Sequence, residues 1–220
     1  MVYVQAADDP SRRDDLPPPS GSWTVARAVR ARNGGILVAM PLPKPVDVLW
    51  AELQAVRAEI LEEAEGLSQG QADWRPSEKD WSVGEVVHHL TLAEVATGKL
   101  TTKLTRAAEA AGASGGFPAD LTAFKPFPAP PPGAADAPEV VWPERGRPIG
   151  ELLATMRATR ERSRQSIEKL GSLDPRPLKF KHFRFGELDL SQWWQLQAHH
   201  DGIHLVQIRE IKDAPGFPRA

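Results

Sequence analysis

His200 and His204 stand four residues apart in the segment Ala198-His199-His200-Asp201-Gly202-Ile203-His204. On a helix that spacing stacks two imidazoles on one face, where they can share a divalent ion. The segment Trp81-Ser82-Val83-Gly84-Glu85-Val86-Val87-His88-His89-Leu90 offers a third imidazole from a second helix. Three protein ligands leave one coordination position open, as catalytic rather than structural zinc sites do. The chain has no cysteine, so any metal site must use histidine and oxygen ligands, and disulfides and a cysteine nucleophile are excluded.

Helical angles choose among the six histidines. At ~100° per residue, His204 lies ~40° from His200, and Trp193, Leu196, Ile203 and Gln207 fall within ~60° of it. Both imidazoles therefore share the stripe expected to face the core, while His199 points ~100° away. In the other segment His89 lies beside Val86 and Ala93 at the edge of the apolar stripe, and His88 lies further round towards solvent. The expected ligands are His89, His200 and His204. Glu94 also projects near the apolar face, and a buried carboxylate needs a partner. It would either orient an imidazole or bond a buried tryptophan or hydroxyl. His182 reads as a turn residue that could line a pocket mouth. Trp193 shares the histidine stripe and could wall that pocket, whereas Trp50, Trp74, Trp81 and Trp194 read as core and corner anchors. The sequence contains no glycine-rich phosphate loop, no nucleotide fingerprint and no context for a Ser-His-Asp triad.

Four helices must position these groups. Val46, Leu49, Leu53, Val56, Ile60, Ala64 and Leu67 recur at intervals of three and four, which predicts a helix over about 47–67. A capping box, Ser82-Val83-Gly84-Glu85, starts a second helix that runs to about Ala111. A third begins near Pro148, a favoured first-turn proline, and stops at Gly171. Its charged middle, Arg157 to Gln165, reads as a solvated face. The last has Asp189 as N-cap and Gln192 three residues on, and ends near Lys212 before Pro215. Between the second and third helices lies a long segment with eight of the chain's 21 prolines. Antiparallel neighbours need only a short connection. A long crossover predicts two parallel helices, in an all-α four-helix bundle running up-down-down-up. The proline-rich strap is expected to pack through Phe117, Phe124, Phe127 and Trp142, with a polyproline ligand at Pro126 to Pro132 as the alternative.

Residues 1–44 differ in composition. Charged, Ser- and Pro-rich sequence from Asp8 to Ser22 cannot bury enough apolar surface to order itself. The expectation is a disordered tail over 1–44, with Met40 an alternative start, followed by one bundle domain over 45–214. The apolar run Gly35 to Met40 is too short to span a bilayer. No apolar stretch follows Arg12-Arg13 at the spacing of a twin-arginine signal. Lys plus Arg number 27 against 29 Asp plus Glu, a net charge of −2. That balance gives no reason to expect nucleic acid or an anionic membrane as partner. A cytoplasmic protein is the expectation.

Three motifs together resemble the DinB-like superfamily, in order and over about Val46 to Lys212. They are Trp81-Ser-Val-Gly-Glu85-Val-Val-His88-His89-Leu90 with Glu94, then Phe180-Lys-His182-Phe183-Arg-Phe185-Gly186-Glu-Leu188 with Gln192-Trp193, and His200-x-x-x-His204-Leu-Val-Gln207-Ile208. The chain looks most similar to the subgroup with a His-Pro-x-Phe-Gly-x-Leu stretch before the last helix, although Phe183 stands where that subgroup has proline. The resemblance implies a bundle whose second and third helices are parallel. It implies a divalent ion (zinc, nickel, iron or manganese) held by His89, His200 and His204, and a homodimer. Relatives of this kind include thiol S-transferases that use bacillithiol or mycothiol, a maleylpyruvate isomerase and metal hydrolases.

The functional expectation is a metal-dependent thiol S-transferase or hydrolase acting on a small molecule. Because the chain lacks cysteine, a transferred thiol would come from a soluble low-molecular-weight cofactor. Glu94, His182 and Trp193 are the candidates for supporting or pocket roles. The rival expectation is a non-catalytic bundle serving as a stress-related binding or dimerisation module.

Overall fold

The computed structural model describes residues 41–113, 115–131 and 137–219. The reading of a disordered tail therefore lies, up to residue 40, outside the described residues. Five helices follow: α1 (Lys44–Ala64), a short α2 (Gln69–Asp73), α3 (Val83–Ala110), α4 (Ile149–Leu170) and α5 (Leu190–Asp213). A hairpin of β1 (Lys179–His182) and β2 (Gly186–Asp189) precedes α5, with Lys179 opposite Asp189 and His182 opposite Gly186.

Local chemistry explains the boundaries. At α3 the Ser82 hydroxyl accepts from the Glu85 N–H and the Glu85 carboxylate accepts from the Ser82 N–H. Asp189 and Gln192 make the same reciprocal pair at α5. Ser68 and Gln71 cap α2, which sequence periodicity misses because five residues are too few to show a stripe. The hairpin is likewise outside the all-α expectation. It is two four-residue strands, and its tight turn is enabled by Gly186 at φ +74°.

Paired residues fix the helix directions. Along α3 and α4, Gly84 faces Leu152, Glu94 bonds Arg160 and Gly98 faces Ser166, so these two helices are parallel. Arg57 with Asp201 and Glu63 with Lys212 make α1 and α5 parallel. Thr101 with Trp194 and His89 with His200 make α3 and α5 antiparallel. Leu53 with Arg160 and Glu65 with Arg157 do the same for α1 and α4. The result is an up-down-down-up four-helix bundle, as the long crossover predicts.

The strap between α3 and α4 is held by side chains from α5. Gln192 donates to the Pro126 carbonyl at 2.8 Å and Gln195 to the Lys125 carbonyl at 2.9 Å. Phe117 and Phe124 pack on the core, and Phe127 lies 5.8 Å from Phe185. Trp142 does not take part, being 56% exposed; Val141 in the 3-10 turn Glu139–Val141 is buried in its place.

Two apolar clusters fill the bundle. One contains Val86, Val87, Leu90, Leu153, Met156, Leu205 and Ile208; the other contains Leu49, Leu53, Ile167, Leu170, Leu190 and Trp194. Between them lies a charged layer contributed by every long helix: Arg57, Glu94, Arg160 and Asp201, all at most 5% exposed. Arg57 Nη2 donates to Asp201 Oδ2 at 2.7 Å and lies 3.0 Å from Glu94 Oε2. Arg160 donates to Glu94 at 2.8 and 3.3 Å and to Asp201 at 3.1 Å. Two cations and two anions make the layer neutral, the condition under which buried charge is tolerated. Burial alone would lower the Arg57 pKa; Asp201 and Glu94 more than offset this, and the net displacement is upward.

Candidate metal centre

His89 and the α5 pair meet in the seam between α3 and α5, against the charged layer. His89 Nε2 lies 3.1 Å from His200 Nε2, and His204 Nε2 lies 3.2 Å from the same atom. The three ligand atoms are all within 4.8 Å of one another. His89 and His204 are buried, each 3% exposed, and His200 is partly open to solvent. Trp81 closes one side, its ring 4.8 Å from that of His89 and 6.2 Å from that of His204.

The outer nitrogens determine what the inner ones can do. His89 Nδ1 lies 2.8 Å from the Val141 carbonyl oxygen, which only accepts, so Nδ1 carries the proton and Nε2 a bare lone pair. His204 Nδ1 lies 2.6 Å from Gln207 Oε1, which makes the same assignment. Two lone pairs are thus aimed at His200 Nε2. A neutral imidazole has one N–H and can place it between one such pair of nitrogens, leaving the other pair facing lone pair to lone pair. A divalent cation satisfies all three. Nitrogens at ~2.0–2.1 Å from a tetrahedral ion stand about 3.3–3.4 Å apart, close to the 3.1 and 3.2 Å that separate His89 and His204 from His200. The donor set fits a metal.

Protonation favours the same conclusion. Burial, then the neighbouring His204, pulls the His89 pKa down to about 4. Burial and the other two imidazoles hold His200 well below its ordinary value. Burial lowers His204 despite the opposing hydrogen bond that it donates to Gln207. Three neutral imidazoles at neutral pH are what a cation needs, since protons otherwise compete for the same lone pairs.

The remaining candidates sit elsewhere. Glu94 gives its carboxylate to Arg160 and Arg57 rather than to an imidazole, tryptophan or hydroxyl. His182 closes the hairpin turn, its Nδ1 accepting from the Arg184 and Phe185 N–H groups at 3.1 and 3.3 Å. Trp193 packs on His182 with centroids 5.0 Å apart and donates to the Phe180 carbonyl at 3.3 Å. His199 is exposed, its ring 5.2 Å from that of Phe127. His88 is buried rather than turned to solvent, because the strap covers it and its Nδ1 accepts from the Glu144 N–H at 2.9 Å. Trp81, the Val141 carbonyl and Gln207 are site residues that the sequence reading did not assign. Gln207 shares the histidine stripe and stands three residues after His204, which is the signal that could have found it.

Comparison with solved structures gives the crystal structure of TT2238, a four-helix bundle protein, at 21% identity and a TM-score of 0.51. The match covers 74% of this chain and 98% of that one, and it shows the fold. No curated protein matches significantly. The family model of the DinB superfamily matches residues 52–208, a span that holds all three histidines and the whole charged layer, and the chain belongs to that superfamily.

Proposed function

We propose that this protein is a metal-dependent enzyme that transfers a thiol to, or hydrolyses, a small electrophilic molecule. The observation that carries the reading is the convergence of three imidazole Nε2 atoms from two helices, with the outer nitrogens of His89 and His204 already engaged. His89, His200 and His204 would hold zinc, nickel or iron, which imidazole suits, or manganese, which the family resemblance adds. When bound, such an ion supplies a Lewis acid that lowers the pKa of a coordinated water or thiol towards neutrality.

The chain's own residues do the rest. The Val141 carbonyl and Gln207 fix ring orientation and tautomer, Trp81 keeps water from one side, and the partly open His200 marks the side of approach. A thiol would have to be a soluble low-molecular-weight one, as the chain has no cysteine. A cytoplasmic setting and a homodimer belong to the same proposal. Among the described residues no helix is long and apolar enough to cross a membrane.

The test is elemental analysis of protein purified without a polyhistidine tag, comparing wild type with the His200→Ala, His204→Ala double variant. About one ion per chain in the wild type and none in the variant is expected. No ion in either, after incubation with zinc, nickel and manganese, would leave the chain a helical binding module.

A further inference from the structure

On the other flank of α3, the seam with α4 opens into a cleft of about 380 Å³. Small-molecule sites run from ~300 to 1,000 Å³. Lys99 of α3 and Arg162 and Lys169 of α4 line this one, and no histidine does. Their neighbour Arg164 is matched by Glu168 at 3.1 Å. Lys99, Arg162 and Lys169 have no ion pair among the described residues. The lining carboxylate is Glu94, which is fully buried and committed to Arg160 and Arg57.

The neutral part of the lining suits an anion. Arg162 gives one Nη2 donor to Thr159 Oγ1 at 2.9 Å and keeps the rest of its fork. Ser163 and Ser166 are 4% and 9% exposed and line the cleft, and their hydroxyls make no hydrogen bond among the described residues. Gly98 lines the cleft beside them, where a Cβ would make an ordinary contact 3.6 Å from Ser166 Oγ. Unpaired like charges around a concave, partly apolar wall repel one another and concentrate counter-ions. A bound anion relieves that repulsion through charge-assisted bonds, roughly twice as strong as neutral ones.

We propose that the α3–α4 cleft is a second ligand site, separate from the histidine centre, that binds a small phosphate-bearing molecule. Three cations exceed what one carboxylate can match, whereas a phosphate monoester or diphosphate brings two or more charges. Its tetrahedral oxygens can accept from ammonium, guanidinium and hydroxyl donors together. A cleft with three cations, on a chain of net charge −2, does not suit a nucleic-acid backbone.

Calorimetric titration with inorganic phosphate and inorganic pyrophosphate tests this. It should use the wild type, a Lys99→Gln, Lys169→Gln variant and the His200→Ala, His204→Ala variant. The two ammonium groups make no bond among the described residues, so the lysine variant should keep the wild-type circular dichroism and Tm. Saturable binding of one pyrophosphate per chain is expected in the wild type, weakening with added salt. The histidine variant should retain it, and the lysine variant should lose about tenfold or more in affinity. No saturable binding by the wild type overturns the proposal. So does equal binding by the lysine variant, or loss in the histidine variant alone, which would assign the anion to the metal centre.

Discussion

Replacing Glu94 by Gln should be among the most destabilising single changes in this chain, and the charged layer says why. The carboxylate receives Arg160 at 2.8 and 3.3 Å and Arg57 at 3.0 Å, and it is completely buried. Glutamine keeps the shape and removes the charge, which takes the layer from neutral to a net positive charge between two apolar clusters. Stranding one member of a buried pair costs about 3–5 kcal/mol. For a domain of this size, that lowers Tm by roughly 10 °C. The control is Glu63→Gln, which removes a carboxylate bonded to Arg209 and Lys212 at the bundle surface, where ion pairs are worth about 0–1 kcal/mol. Urea denaturation of both variants gives the difference, provided the slope m is unchanged. A second variant isolates the cause. Glu94→Met with Arg160→Met removes one charge of each sign and leaves Arg57 on Asp201 at 2.7 Å. It should cost less than the sum of its two single changes. If Glu94→Gln loses no more than Glu63→Gln, the layer is not the desolvated network described, and the reasoning fails.

Three further outcomes are expected. Gln207→Leu removes the acceptor 2.6 Å from His204 Nδ1, so metal affinity measured by chelator competition should fall ~10–100-fold with little change in stability. The two glycines of α3 should respond oppositely to alanine. Gly98→Ala meets only Ser166 Oγ at 3.6 Å and should gain ~0.5–1 kcal/mol, while at Gly84 the new Cβ would lie 3.2 Å from the Ala72 carbonyl oxygen and should lose ~1–3 kcal/mol. His182 is held at about 4 by burial first and Arg184 second. Its folded pKa is below its unfolded one, so its contribution is complete above ~6.5 and is lost as pH falls from there towards 4. The stability of a His182→Asn variant should fall less over that window, and proton NMR of His182 should show no titration near 6.5.

The bundle was legible because its signals are local. Capping boxes at Ser82 and Asp189, stripes at three- and four-residue intervals and one crossover too long for an antiparallel turn state helix limits and directions without tertiary information. The clustering of His89, His200 and His204 was legible in part for the same reason. Helical angle puts His200 and His204 on one inward face and His89 only at the edge of the apolar stripe, and it turned His88 to solvent where the strap in fact buries it. The charged layer was not. Arg57 stands in the stripe Leu53, Arg57, Ile60, and Asp201 stands between His200 and His204, but a charge on a stripe reads as a solvated edge until its counter-ion is known. Those counter-ions come from helices more than 35 residues away in the chain. The same blindness affects α5, whose core line runs through Trp194, Gln197, Asp201 and His204, leaving Trp193 on the hairpin. Glu94 was rightly suspected of needing a partner; that two arginines would supply it depends on packing that periodicity does not encode.

The charged layer bears on whether a metal at the three histidines would build the fold or only occupy it. Asp201 lies next to His200 in the chain and ties α5 to α1 through Arg57 and to α4 through Arg160. Four residues earlier, Gln197 donates to Asp201 at 2.9 Å and accepts from Thr97 of α3 at 3.3 Å. The helix carrying two of the proposed ligands is therefore anchored to all three of its partners without help from an ion. His89 is fixed independently by the Val141 carbonyl and by Trp81. A site so prepared differs from a zinc finger, where metal binding and folding are one event. Removing the ion should leave far-UV circular dichroism unchanged and lower Tm only by the binding contribution, RT ln(1 + [L]/Kd), which rises with free metal and is about 2.7 kcal/mol at a hundredfold excess over Kd. His200→Ala should behave likewise, losing the ion while keeping the helices. Collapse of helical signal on chelation would make the three histidines a structural clasp and favour a non-catalytic bundle over an enzyme.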